Sequence, residues 1–121
     1  MSSSNSVRLA YVKEVTYGVT PASVKALLAV QDITYTALKG GDDGELISIE
    51  YADTVTAGSE TVVVTGNAIL VNIEDGVSTA TQVLAAISGS TAALLLVTAS
   101  ITGTASDPQV TAAATFLANG S

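Results

Sequence analysis

The densest group of side chains able to do chemistry is Asp42-Asp43-Gly44-Glu45. Its carboxylates are hard oxygen ligands, and a divalent cation such as calcium is the ion they would suit. Calcium takes about six to eight oxygens, and the alternating spacing of an EF-hand loop is missing here. The group is therefore expected to be a solvated turn, and Glu74-Asp75 a second turn ahead of a helix. Gly40-Gly41-x-x-Gly44 has the glycine content of a phosphate loop. It lacks the Lys-Ser/Thr pair, leads into a strand pattern, and carries acidic neighbours that would repel phosphate. No metal site and no cofactor is expected.

The chain holds no His, Cys or Trp. Within it, a Ser-His-Asp triad, a Cys-His pair, N/S zinc sites and disulfides are all excluded. Carboxylate or lysine chemistry stays open in principle, but no such group has an evident partner, so an enzyme is not expected. A sugar-binding platform would want more aromatic surface than four Tyr and one Phe provide. A carbohydrate- or calcium-binding β module is kept as a third alternative.

Charge is segregated along the chain. The four basic residues, Arg8, Lys13, Lys25 and Lys39, all lie in the first 39 positions with only Glu14 and Asp32 against them, a net +2. Residues 40–121 carry nine acidic residues and no basic one. An acidic body repels nucleic-acid phosphates, so sequence-specific nucleic-acid binding is not expected. A basic segment beside an acidic body suits head-to-tail contacts between copies, the geometry that builds rings or filaments.

At 121 residues with a mean hydropathy of +0.51, one domain with a packed core is expected. The longest apolar run, Ala92 to Val97, is far short of the roughly 20 residues that span a bilayer, and the N-terminus has no secretory signal pattern. A protein made in the cytoplasm, with no membrane partner, is expected.

Periodicity places the elements. Val7 to Val15 reads as an extended arm, followed by breaks at Tyr17-Gly18 and Thr20-Pro21. Ala22 to Val30 reads as a short helix with Val24, Leu27 and Leu28 on one face. Ile33, Tyr35 and Ala37 alternate with Thr34, Thr36 and Leu38, and Ile47, Ile49 and Tyr51 alternate with Ser48, Glu50 and Ala52. Both patterns are those of half-buried strands. Glu60–Thr65 and Ala68–Ile73 flank Gly66-Asn67, a tight-hairpin dipeptide. Ser78 or Thr79 caps a helix, with Thr79 and Gln82 spaced as a capping box and Val83, Leu84 and Ile87 as the buried stripe. Ala92–Leu95 reads as a helical turn, then Leu96–Thr102 and Val110–Leu117 as strands. The expected fold is mainly β (α+β): an antiparallel sheet or sandwich with one packed helix near 79–88. An N-terminal arm, 1–31, precedes a β-rich domain, 32–121.

The arm carries a motif. Arg8-Leu9-Ala10-Tyr11-Val12-Lys13-Glu14-Val15-Thr16-Tyr17-Gly18-Val19-Thr20-Pro21, after a Ser-rich start, resembles the opening of tail tube proteins of tailed bacteriophages. Residues 32–117 are similar to segments found in phage virion proteins of tails and capsids: Asp32-Ile33-Thr34-Tyr35-Thr36-Ala37, Ile47-Ser48-Ile49-Glu50-Tyr51, Ser78-Thr79-Ala80-Thr81-Gln82-Val83 and Ala114-Thr115-Phe116-Leu117. The resemblance implies a structural protein of the virion, most simply a tail tube subunit forming stacked rings around a DNA channel. Its partners would be further copies of itself and other virion proteins. Many tail tube proteins that open this way are longer than this chain, which keeps a capsid decoration protein, anchored by its arm, as the alternative. In either role the assembly arm would act through Arg8, Tyr11, Lys13, Tyr17 and Pro21.

Overall fold

A computed structural model describes residues 23–121. The arm residues Arg8, Tyr11, Lys13, Tyr17 and Pro21 lie outside the described residues. The elements are β1 (Leu27–Val30), β2 (Ile33–Ala37), a 3-10 turn (Asp42–Leu46), β3 (Ser48–Asp53), β4 (Thr61–Thr65), β5 (Ala68–Ile73), α1 (Ala80–Ser88), α2 (Thr91–Leu94), β6 (Val97–Ile101) and β7 (Ala112–Phe116). The fold is mainly β with α+β character, as the periodicity indicates.

The strands make two sheets. One has the order β1-β2-β6 and is antiparallel throughout; the other has the order β4-β5-β3-β7. In the second, β3 and β5 run parallel while β4–β5 and β3–β7 are antiparallel, so the strand pairing is mainly antiparallel. Burial explains the order. Ile69, Val71 and Ile73 of β5 are all at most 1% exposed, so β5 needs a neighbour on both sides. In β4, Thr61, Val63 and Thr65 are exposed and Val62 and Val64 only half-buried, which suits an edge. The chain leaves β3, passes over residues 54–60 to the far edge, and returns through the hairpin into the slot beside β3. The hairpin turn is Gly66-Asn67, and only Gly66 has positive φ, 60°, the pattern of a type II′ turn.

Both sheets contribute to a single core, with Ile33, Tyr35 and Ala37 from one and Ile49, Tyr51, Ile69, Val71 and Ile73 from the other. Each such aliphatic side chain contributes about 1.5–3 kcal/mol on burial. The sheets leave two open sides. On one, α1 contacts β4, β5 and β6, and α2 contacts β4 and β6, so the helices bridge the free edges of both sheets. The capping box is formed: Thr79 Oγ1 accepts from Gln82 N, and Gln82 Oε1 accepts from Thr79 N. Val83 and Ile87 are buried, with Leu84 half-buried beside them. On the other side, Leu27 and Ala118 exchange two backbone hydrogen bonds and join the sheets at one end. Beyond that junction β1 and β7 diverge around a cleft of about 260 Å³.

The helix expected over Ala22–Val30 is absent among its described residues, and β1 takes its place. So short a segment gains little as an isolated helix. Its backbone groups are instead taken up by β2 and by the C-terminal segment, with Val24 and Ser121 also exchanging two hydrogen bonds. The β1–β2 turn then anchors a distant loop. Gln31, at φ 55°, bonds the backbone of Val110 twice through its side chain, at 2.9 and 2.8 Å. Those bonds offset the roughly 1–2 kcal/mol cost of a left-handed residue. Asp32 accepts from Gln109 Nε2 at 2.9 Å and from Thr104 N at 3.0 Å. The Gln109 amide, and next the Thr104 amide, hold the Asp32 carboxyl below its ordinary value of 3.8. Gln109 is fully buried; its backbone bonds Ser78 and Gly76, while its Oε1 has no partner.

The interior holds one hydroxyl pair that spans the sheets, Tyr35 Oη to Tyr51 Oη at 2.6 Å. Burial pushes both hydroxyls up, Tyr51 to about 12. Tyrosines whose folded values lie above the unfolded one contribute fully at neutral pH and lose that contribution as pH rises past the unfolded value of about 10. Alkaline denaturation is therefore expected above about pH 10, with tyrosinate absorbance from this pair appearing only as the fold is lost. Tyr35→Phe and Tyr51→Phe should each cost about 1–3 kcal/mol by leaving the other hydroxyl unpaired. The double variant should cost clearly less than their sum, as read from urea midpoints.

For Asp32 the sign is opposite. A depressed carboxyl stabilises above its ordinary value and loses that effect as pH falls through the folded one. Asp32→Asn should flatten the dependence of the urea midpoint on pH below 3.8, while lowering the midpoint at neutral pH. An unchanged acid limb would show that Asp32 does not hold the turn in this way.

Candidate functional site

A cleft of about 380 Å³ lies where three parts of the chain converge. The end of β2 contributes Leu38 and Lys39, the 3-10 turn contributes Asp43 and Leu46, and the residues after α2 contribute Leu95 and Leu96. Asn67 of the β4–β5 turn closes one side. Backbone bonds fix each wall: Leu38 N to Leu96 O at 2.9 Å, Ser48 N to Asn67 O at 3.0 Å, and Leu117 N to Ile47 O at 2.9 Å.

Three leucines of this cleft stand open to solvent: Leu38 at 40%, Leu46 at 59% and Leu95 at 70% exposed. Grouped apolar exposure of this kind marks contact surfaces, unlike the single exposed leucine found on most proteins. The 3-10 turn that forms one wall carries three carboxylates, Asp42, Asp43 and Glu45; of these Asp43 lines the cleft, together with the cation Lys39. Glu45 is held in place by Gly120 N, which donates to its Oε2 at 3.0 Å.

The glycine-rich stretch that resembled a phosphate loop has a packing role here. A Cβ on Gly44 would lie 2.7 Å from the Ala37 Cβ and 3.0 Å from the Ala26 Cβ. A Cβ on Gly120 would meet the Gly41 carbonyl at 2.5 Å and the Ala26 Cβ at 3.0 Å. These small residues let the 3-10 turn, the start of β1 and the C-terminal segment cross at backbone distance. The described chain therefore begins beside the cleft, because Val24 O accepts from Gly41 N at 3.0 Å.

Among the described residues no group of three or more Asp and Glu side chains is placed to hold a metal ion. Glu74 and Asp75 serve the fold: Glu74 Oε1 accepts from Ala57 N at 2.8 Å, and Asp75 Oδ1 from Thr111 N at 2.9 Å. Nor is any described helix long and apolar enough to cross a membrane. What the cleft offers chemically is a group of exposed leucines beside an acidic turn, suited to a segment with apolar and basic side chains. The cleft leucines were not singled out by sequence reasoning. One signal was available: Leu38 shares the outward side of β2 with Thr34 and Thr36.

No protein-family model, curated protein or solved structure matches this chain.

Leu46→Asp and Leu95→Asp should shift stability by no more than about 0.5 kcal/mol, because neither side chain is buried. Gly44→Ala should cost about 1–3 kcal/mol through overpacking against Ala26 and Ala37. Thermal melts of the three variants check the contrast, and an equal cost at all three positions would contradict it.

Proposed function

We propose that this chain is a structural subunit of a tailed-phage virion, a tail tube protein that assembles with copies of itself into stacked rings. The observation that carries the proposal is the segment Arg8 to Pro21, with its likeness to the opening of tail tube proteins, joined to a small β domain. Two features support it. Leucines stand exposed around one cleft, and charge is divided between a basic N-terminal segment and an acidic body. Opposite charges orient contacts between copies. On this proposal the chain is not an enzyme and needs no cofactor. It acts in the virion after synthesis in the host cytoplasm, with other virion proteins as further partners. An acidic lumen would let DNA slide without binding.

A second role, capsid decoration, would have the same segment grip the shell. Negative-stain electron microscopy at rising protein concentration separates the two. Hollow tubes or stacked rings are expected for a tube subunit. Dispersed particles that bind only when empty capsids are added would replace it with decoration. Deleting residues 1–21 should abolish assembly, and raising salt well above physiological strength should weaken it. Unimpaired assembly of the deleted chain would remove the segment's assigned role.

A further inference from the structure

We infer that residues 7–15 of one copy occupy the leucine cleft of the next copy, with the acidic 3-10 turn along its wall receiving Arg8 and Lys13. This rests on the assembly proposal and names the receiving surface. The argument starts from where the described chain begins. Ser23 and Val24 lie against the Gly40-Gly41 stretch, which continues directly from Leu38 and Lys39 of the cleft wall. Twenty-two residues precede that point. Val15 can lie at most about 29 Å from Ser23 and Val7 at most about 58 Å, so residues 7–15 can reach the same face of an adjoining copy.

Composition then matches occupant to cleft. Read as an extended segment, residues 7–15 put Leu9, Tyr11, Lys13 and Val15 on one side, three apolar anchors and one cation for a surface of exposed leucines. Arg8 and Lys13 against Glu14 leave the segment net positive, and the turn along the cleft wall, with Asp43 in the lining and Asp42 and Glu45 near it in sequence, outweighs Lys39 with negative charge. A volume of about 380 Å³ sits near the lower end of the roughly 300–1,000 Å³ range of ligand pockets, enough for a few side chains of a strand but not for a folded partner. A segment given to a neighbour produces a heterologous contact that repeats, whereas the same segment held by its own domain would cap the cleft and stop growth.

Two full-length variants test the contact by complementation. One carries Leu46→Asp with Leu95→Asp in the cleft; the other carries Arg8→Glu, Tyr11→Asp and Lys13→Glu in the segment. Analytical ultracentrifugation should show wild type as assemblies and each variant alone as a monomer, with self-association weakened about thirtyfold or more. The first variant keeps a sound segment and the second a sound cleft, so an equimolar mixture should form a heterodimer with a single junction. A mixture that stays monomeric overturns the inference. So does wild-type-like assembly by either variant, which would leave the assembly proposal standing on some other contact. A wild type that stays monomeric while the mixture dimerises overturns donation between copies and points to the chain's own segment in the cleft. A third full-length variant, Ala113→Arg in the cleft between β1 and β7, should assemble normally. Loss of assembly there, with the leucine variant unaffected, moves the contact to that groove and overturns the leucine site.

Discussion

Two small sheets, each with one apolar face, have to cover one another, and the Tyr35–Tyr51 hydroxyl pair joins them inside that shared interior. A tyrosine hydroxyl left unpaired in such a place would cancel much of what its buried ring contributes. Bonding to each other lets both strands bring a large ring to the centre of a domain with few aromatics. The remaining architecture follows from how the open sides are closed. Helices bridge β6 to β4 on one side, and the Leu27–Ala118 junction ties β1 to the end of β7 on the other.

That junction also governs the functional surface. Residues 24–27 pair with 118–121 and cross the 3-10 turn at a point where only small side chains fit. The first described residues and the C-terminal segment are thereby held together beside the leucine cleft. A contact segment attached at such a point starts from a fixed anchor, which reduces the conformational freedom lost when it finds a partner. The Gln31, Asp32 and Gln109 corner does similar work elsewhere, tying residues 102–110 to the β1–β2 turn by side-chain bonds across nearly eighty positions of sequence.

Function, on this view, is a matter of surfaces rather than reactive groups. The carboxylates that attracted attention in the sequence stabilise turns or border the cleft, and the glycines beside them serve close packing. An acidic body with an apolar recess and a basic, aromatic N-terminal segment has complementary parts on one chain. Complementary parts on identical chains are the requirement for a repeating assembly.

What could be read from the sequence was local. Alternation in Ile33-Tyr35-Ala37, Ile47-Ile49-Tyr51 and Ile69-Val71-Ile73 marks strands, because successive side chains on a strand face opposite ways. Gly66-Asn67 sets a two-residue turn, and Thr79 with Gln82 sets a helix start, through contacts spanning at most three residues. Tertiary structure decided the rest. It turned the expected helix over Ala22–Val30 into β1, by offering that backbone to β2 and the C-terminal segment. It inserted β5 beside β3 in parallel, where β3 and β4 flank it and its inward side chains are fully buried. It gathered Leu38, Leu46 and Leu95, separated by up to 57 positions, into one cleft. Periodicity reports which side of an element is buried; only the packing of elements against one another decides which exposed side chains become neighbours.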